Sequence, residues 1–359
     1  MKIIYLHQYF NTPDMDGSTR SYEFAKRMAK SGHEVHMITS NRKSSVSRDE
    51  VIEGFFVYWI GVPYNNKMKF IARILAFFTF AFKAWRKTVK IDADIIFATS
   101  TPLTIAIPAI LAKKQLKIPM YFEVRDLWPD LPISIGAIKN PVLIYFSKML
   151  EQMAYKNSES IICLSDDMCK GVLDTGYRGD RIFNIPNSCD IEKFALDKSV
   201  GVKKRIELQF NEEDKLILYA GTLGIINDVG YLVELASHLQ SMNEKIKFLI
   251  FGEGYEKKKL IKMAKKLGCF QKNIFFYDSV PKKEIPKLFS AVQLSVSCFL
   301  PIKEMEANSA NKFFDTIAAG KPIVINYGGW QKKLIHKHDI GIVINRDFQK
   351  SAEKLSEII

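Results

Sequence analysis

The chain has 359 residues, 47% of them hydrophobic, and a formal net charge of +13. That length exceeds what one hydrophobic core usually serves and predicts two domains, while the ordinary apolar content excludes a disordered or fibrous chain. The basic excess is spread over both halves rather than gathered in a tail, which argues against nucleic acid and for anionic phosphates or an anionic membrane surface as partners. The five cysteines include no C-x-x-C pair, so they read as reduced thiols of a cytoplasmic protein, without a disulfide frame or a zinc site. No stretch approaches the ~20 apolar residues that a membrane span needs. Residues 1–6 give way at once to His7 and Gln8, too short a run for a signal-peptide core.

Residues 2–6 read as the first strand. A polar loop with Asp16-Gly17-Ser18 follows, then a helix over about 19–31 closed by Gly32, then a strand over 34–39. This is a βαβ unit. No G-x-G-x-x-G occurs, so a dinucleotide fingerprint is absent. Gly17 stands where backbone can approach a ligand phosphate, and Arg20 lies near a helix N-terminus; the alternative is a turn glycine and a solvated arginine. Residues 55–60 alternate like a strand. Residues 67–87 then combine bulky apolar side chains with lysines and arginines at both ends. Two readings stay open: a helix lying on a membrane surface with its cations at lipid phosphates, or a helix half-buried against the sheet.

The strand predicted at 94–99 is preceded by Asp92-Ala93-Asp94. It resembles a D-x-D metal motif but lies at the wrong, N-terminal end of the strand, and reads as a solvated turn. A helix over about 103–115 leads to a strand at 119–124, which delivers Arg125, Asp126, Leu127, Trp128 and Pro129 to the C-terminal sheet edge. Catalytic groups concentrate at such edges. A further strand at 161–165 and the segment 183–188 lead into a polar stretch read as linker, 188–202. The first domain is therefore placed at 1–187 and the second at 203–359.

The second half repeats the pattern. A strand at 216–221 ends on Gly221 and runs into Thr222-Leu223-Gly224; after a helix over about 229–241, a strand at 246–251 runs into Gly252 and Gly254. A helix at 255–267, a strand at 274–277, a short helix at 282–290 and a strand at 294–297 follow. Strands ending on glycine bring backbone amides to one edge of a parallel sheet. The last conspicuous stretch, 308–322, reads as a helix capped by Ser309 and stopped by Gly320 and Pro322, before a buried strand at 323–325. Within it Lys312 and Asp315 share a face near the positive end of the helix dipole. Exposed helical N–H groups at Asn311 with the Lys312 ammonium suit a pyrophosphate, and the carboxylate suits two vicinal sugar hydroxyls. The alternative is a surface helix with an i,i+3 ion pair. The fold class is α/β, with two Rossmann-like doubly wound domains and an active site in the cleft between them.

The order of these motifs resembles the retaining glycosyltransferases of family 4, which have the two-domain GT-B fold. The resemblance covers nearly the whole chain, and residues 122–129 and 308–315 resemble the branch that builds bacterial O-antigens and capsules, to which N-acetyl-L-fucosamine transferases belong. It implies that Gly17 lies near donor phosphate and acceptor, that Gly221 opens the loop over the diphosphate, and that Gly252 and Gly254 lie by the nucleotide. It further implies that Lys312 is the diphosphate cation and that Asp315 stands where the second glutamate of the E-x7-E pattern holds the ribose. Three departures accompany it: Ala307 replaces the first glutamate of that pattern, Arg125-Asp126 replaces a His-Asp pair, and Ile225-Ile226-Asn227-Asp228 lacks the loop cation. The chain stops at Ile359 soon after a helix start, whereas the family usually adds a helix crossing back onto the first domain, so a truncated C-terminus is one expectation.

The expected reaction is transfer of a sugar from a UDP-sugar with retention, without metal or cofactor. Glycine-loop amides, helix N–H groups and Lys312 stabilise the leaving diphosphate, and a leaving phosphate oxygen takes the acceptor proton in a front-face attack. Asp126, held by Arg125 and with Glu123 beside it, is the expected acceptor-side or catalytic group. The expected acceptor is a polyprenyl-diphosphate-linked sugar, at the inner face of the cell membrane. The alternatives are a nucleotide-sugar epimerase of similar architecture and a non-catalytic nucleotide-sugar-binding protein.

Overall fold

A computed structural model describes residues 1–65, 68 and 70–359. Lys67 and Lys69, which open the segment expected to be a helix over 67–87, lie outside the described residues. The chain divides into two compact units, Met1–Thr12 with Ser18–Pro186, and Pro13–Gly17 with Asn187–Ile359. Each is an α/β unit built on a parallel sheet.

In the first unit the strands are β1 (Lys2–Leu6), β2 (Glu34–Asn41), β3 (Arg48–Ile52), β4 (Phe55–Gly61), β5 (Ile95–Thr99), β6 (Met120–Val124), β7 (Ser160–Cys163) and β8 (Ile182–Asn184). Their order is β3-β4-β2-β1-β5-β6-β7-β8. Every neighbouring pair is parallel except β3 with β4. β3 carries Arg48, Asp49 and Glu50 and little apolar alternation, so the hydrophobic pattern does not announce it. As a charged edge strand it is protected from further pairing. The order runs outward in both directions from the β1/β5 pair, and the crevice at the C-terminal ends of such a pair is where doubly wound sheets bind ligands.

The Phe70–Thr88 helix packs Ala76, Phe80, Ala81, Ala84 and Thr88 inward. It leaves Ile71, Leu75, Phe78 and Phe82 exposed at helical spacing, Ile71 by 71% and Phe78 by 54%. The helix is thus half-buried, as one of the two sequence readings has it, with one apolar face left open to solvent. Asp94, from the D-x-D look-alike, accepts from the Lys2 amide at 2.7 Å, tying down the N-terminal end of the sheet.

The second unit contains β9 (Lys215–Ala220), β10 (Ile246–Phe251), β11 (Ile274–Tyr277), β12 (Leu294–Ser297), β13 (Ile323–Ile325) and β14 (Gly341–Val343), in the order β11-β10-β9-β12-β13-β14 and all parallel. Leu216 and Leu218 of β9 enter one core and Ile217 and Tyr219 the other. That alternation covers both faces, as a buried parallel sheet requires. Here the order reverses at β9/β12. Residues 188–202, read as linker from their polarity, carry the helix Ile191–Phe194 and the start of the helix Lys198–Glu207. One apolar residue explains the difference: Phe194 is buried, 5.6 Å from the Phe289 ring.

Candidate active site

In the second unit, the residues that follow β9 and β12 meet the helix Asn311–Ala318. Lys312 places its ammonium 4.8 Å from the Tyr219 ring centre and 5.0 Å from that of Phe299. Tyr219 belongs to β9 and Phe299 follows β12, so the cation stands at the point where the strand order reverses. Burial lowers its pKa to about 8, with Cys298 opposing the shift slightly. The two aromatic faces offset part of the cost of desolvating the charge. No ion pair forms between Lys312 and Asp315, contrary to the i,i+3 reading.

Glycine is required beside it. A side chain on Gly252 would meet the Gly221 carbonyl at 1.9 Å, and one on Gly254 the Leu223 carbonyl at 2.2 Å. The Gly221 amide donates to Phe251 and the Leu223 amide to Glu253, so the two glycine junctions form one layer of backbone. Lys312 lies on this layer, its Cε 3.1 Å from where a Gly221 side chain would begin. Thr222 is exposed and its carbonyl is held by the Tyr219 hydroxyl at 2.8 Å.

Two expectations for the 308–322 helix need correction. It starts at Asn311 rather than after a Ser309 cap: the N-cap position is Ala310, and no side chain caps the first turn. Ser309 is buried and engaged with Asn187, whose amide N–H donates to its hydroxyl at 3.4 Å and whose side chain reaches its carbonyl. No side chain therefore caps the first turn, in which the Phe313 amide donates to the Ala310 carbonyl at 3.1 Å; helix starts of this kind favour an anion. Gly320 ends the helix with φ 62°, as expected. Asp315 is buried and pairs with Lys282, while the Cys189 thiol donates to its Oδ1 at 3.2 Å. Burial, then Asp315, pushes that thiol up to about 12, so it stays a donor. A carboxylate has about four lone-pair positions, which leaves acceptor capacity for sugar hydroxyls. Lys282 and Cys189 carry no motif that sequence reading recognises. Beside residues 225–228, Arg346 pairs with Asp228 and lies over the Tyr231 ring at 5.4 Å. Ala307 is buried, so no carboxylate stands at that position.

In the first unit, the residues after β1, β5 and β6 converge. Arg125 donates to Ser18 Oγ at 3.1 Å and lies 3.4 Å from His7 Nε2, while its backbone N–H donates to Ser100. Since a guanidinium only donates, His7 Nε2 accepts, and its Nδ1–H faces Ser21 Oγ at 2.7 Å. Burial, then Arg125 and Arg42, holds the His7 pKa well below the ordinary value, so the ring is neutral. Gln8 is buried with neither side-chain amide atom partnered by a protein group. Asp126 accepts from Thr101 at 3.0 Å. Burial raises its pKa against the opposing effects of Arg125 and that hydrogen bond. Thr101 holds it, while the hydrogen bonds of Arg125 go to His7 and Ser18.

Glu123 and Arg20 take roles other than those expected. Glu123 is wholly buried, accepting from Arg20 Nε at 2.9 Å and from Thr99 at 3.1 Å. Arg20 also donates to the carbonyls of Ile185 and Pro186 at 3.1 Å and stacks over Phe24. A carboxylate so enclosed touches no substrate, and an arginine so spent clamps no phosphate. The pair fixes the helix Arg20–Lys30 to β6 and to the end of β8. Gly17 has φ 111°, a conformation that favours glycine.

Among the described residues no cluster of three or more metal-ligating side chains occurs, and no helix is long and apolar enough to cross a membrane. Residues 17–193 match the family Glycosyltransferase Family 4, and residues 202–359 match Glycosyl transferases group 1. Among curated proteins none matches the chain. Among solved structures, sucrose-phosphate synthase from Thermosynechococcus elongatus superposes with a TM-score of 0.77 at 13% identity, over 99% of this chain and 89% of that one. WaaG, described as a glycosyltransferase involved in lipopolysaccharide biosynthesis, gives 0.72 at 15% identity, over 99% and 90%. Anabaena HepE in complex with UDP and glucose gives 0.69 at 16%, over 100% and 88%. Identities this low speak to fold alone, the two-domain GT-B arrangement, whereas the two family matches follow one another along nearly the whole sequence. The chain is a glycosyltransferase, built of a family 4 domain followed by a group 1 domain.

Proposed function

We propose that this glycosyltransferase moves a sugar, an N-acetylated amino sugar by its likeness to the O-antigen and capsule branch, from a UDP-sugar to a lipid-diphosphate-linked sugar. The observation that carries the donor half is Lys312, a desolvated cation on a glycine backbone layer beside an uncapped helix start. Such donors stabilise charge as it builds on a leaving diphosphate. HepE is described with UDP and glucose, which supports UDP as the nucleotide. Retention proceeds by front-face attack. The acceptor oxygen bonds to the anomeric carbon as the bond to the diphosphate breaks, and the leaving phosphate oxygen takes the acceptor proton. The first unit supplies Asp126, neutral His7 and Arg125 to orient the acceptor.

The acceptor half rests on the exposed apolar stripe of the Phe70–Thr88 helix; Val142, Tyr145, Phe146 and Met149 are likewise exposed on the helix Pro141–Asn157. Stripes of this kind, with flanking cations, place a protein on an anionic membrane where a lipid-linked acceptor resides. WaaG's described part in lipopolysaccharide biosynthesis fits the same assignment, a cytoplasmic-face step in bacterial surface polysaccharide assembly. Incubation with a panel of UDP-sugars, with and without polyprenyl-diphosphate-sugar, tests it. Acceptor-dependent UDP release is the expected result; a new UDP-sugar without release, or binding without turnover, would refute it.

Asp315→Ala is expected to lower UDP affinity about tenfold, the effect of losing a hydrogen bond to a charged group. Calorimetry on a variant that melts normally reads this directly, and unchanged affinity removes the ribose assignment.

A further inference from the structure

Between β3, β4 and the Phe70–Thr88 helix lies a groove of about 1050 Å³. Its lining holds five cations, Arg48, Lys83, Arg86, Lys87 and Lys90, against a single carboxylate, Asp49. Part of this charge is committed: Lys87 pairs with Asp49 at 3.0 Å over the Tyr58 ring, and Lys83 donates to the Gly61 carbonyl at 3.0 Å. Arg48 lies over Trp59 and pairs with Glu50 at 3.5 Å. Arg86 and Lys90 are exposed and have no carboxylate partner among the described residues. The same wall contains Phe78 and Phe82, each 54% exposed, in line with Ile71 and Leu75 towards the helix N-terminus. Cations at one end of an apolar stripe match the layout of an anionic amphiphile, phosphate beside hydrocarbon.

We propose that this groove seats the phosphate headgroup of an anionic membrane phospholipid, with Arg86 and Lys90 at the phosphate and the apolar stripe against the acyl chains. The inference rests on the membrane reading above and narrows it to a headgroup site. A nucleic-acid occupant would leave the Ile71–Phe82 stripe in water, and an acidic protein would leave the stripe without acyl partners, so the combination favours lipid.

The test is co-sedimentation of the full chain with phosphatidylcholine vesicles, with and without phosphatidylglycerol. The wild-type chain is expected to prefer the anionic vesicles at least tenfold and to lose that preference as salt rises. Joint Arg86→Gln and Lys90→Gln substitution is expected to weaken anionic-vesicle binding about thirtyfold, from ~1 kcal/mol per basic residue near the surface. Ile71→Ser with Leu75→Ser, outside the groove, weakens binding to both vesicle types. If the wild-type chain sediments with neither vesicle, the membrane reading falls and the inference with it. If both vesicle types bind equally, or the Arg86/Lys90 variant binds anionic vesicles like wild type, the headgroup site falls and the membrane reading stands. If glycerol phosphate in solution binds in an Arg86-dependent manner as tightly as the vesicles, a free phosphate rather than a lipid is the ligand and the proposal is overturned. Because both cations are exposed, the melting curve should not move; Lys90→Gln alone repeats the test if it does.

Discussion

Glu123→Ala is expected to destabilise the first unit by about 3–5 kcal/mol, the usual cost of stranding one partner of a buried ion pair. Both Glu123 and Arg20 are closed to solvent, so removing the carboxylate leaves a buried charge without its counter-ion. The loss spreads beyond one bond, because Thr99 also loses its acceptor. For a domain of this size the drop in Tm is roughly 10 °C. Glu123→Gln keeps the shape and one acceptor, and should lose less. Thermal unfolding followed by circular dichroism reads the difference. A Glu123→Ala protein that melts like wild type but no longer turns over would assign Glu123 to the chemistry and overturn the structural role.

Lys312→Met is expected to lower kcat by about 10²–10³, the range for losing one preorganised donor to a developing anion. Methionine keeps the volume over Tyr219 and Phe299, so the loss falls on charge rather than packing. Burial holds the lysine near 8 in the unliganded protein, below its unfolded value of about 10.4. Two signs follow. Between those values the unfolded chain binds more protons, so the unliganded fold gains stability as pH rises through the window. UDP binding favours the charged form, so affinity falls as pH rises above about 8 and binding there takes up a proton. Calorimetry in buffers of different ionisation enthalpy measures that uptake. Affinity flat across this range, or a Lys312→Met variant with full turnover, removes Lys312 from the diphosphate.

The sheet strands with apolar cores, such as residues 216–220 and 246–251, were legible because burial on both faces leaves an unbroken hydrophobic run. Gly252 and Gly254 were legible for a related reason: close backbone approach tolerates no other residue. β3 was not, because an exposed edge strand of charged residues has no hydrophobic signature. Polar partnerships were the least readable. Lys312 and Asp315 sit three apart in sequence and suggest each other, yet the carboxylate takes Lys282 and the ammonium takes two aromatic faces. Arg20 and Glu123 looked like ligand contacts because conspicuous charges near sheet edges often are. What decides between a ligand and an internal partner is distance across the fold, which sequence spacing does not record.

The Arg20–Glu123 pair also bears on how the chain is made. Its two members lie 103 residues apart, and the carbonyl of Pro186 that completes the guanidinium's coordination lies 166 residues from Arg20. During synthesis the first βα segment therefore emerges long before the groups that allow its arginine to be buried. Until Glu123 and then residues 185–186 have left the ribosome, the set of contacts that buries Arg20 against the sheet is incomplete. Contacts of such long sequence separation favour late, collective folding of the first unit over strand-by-strand growth.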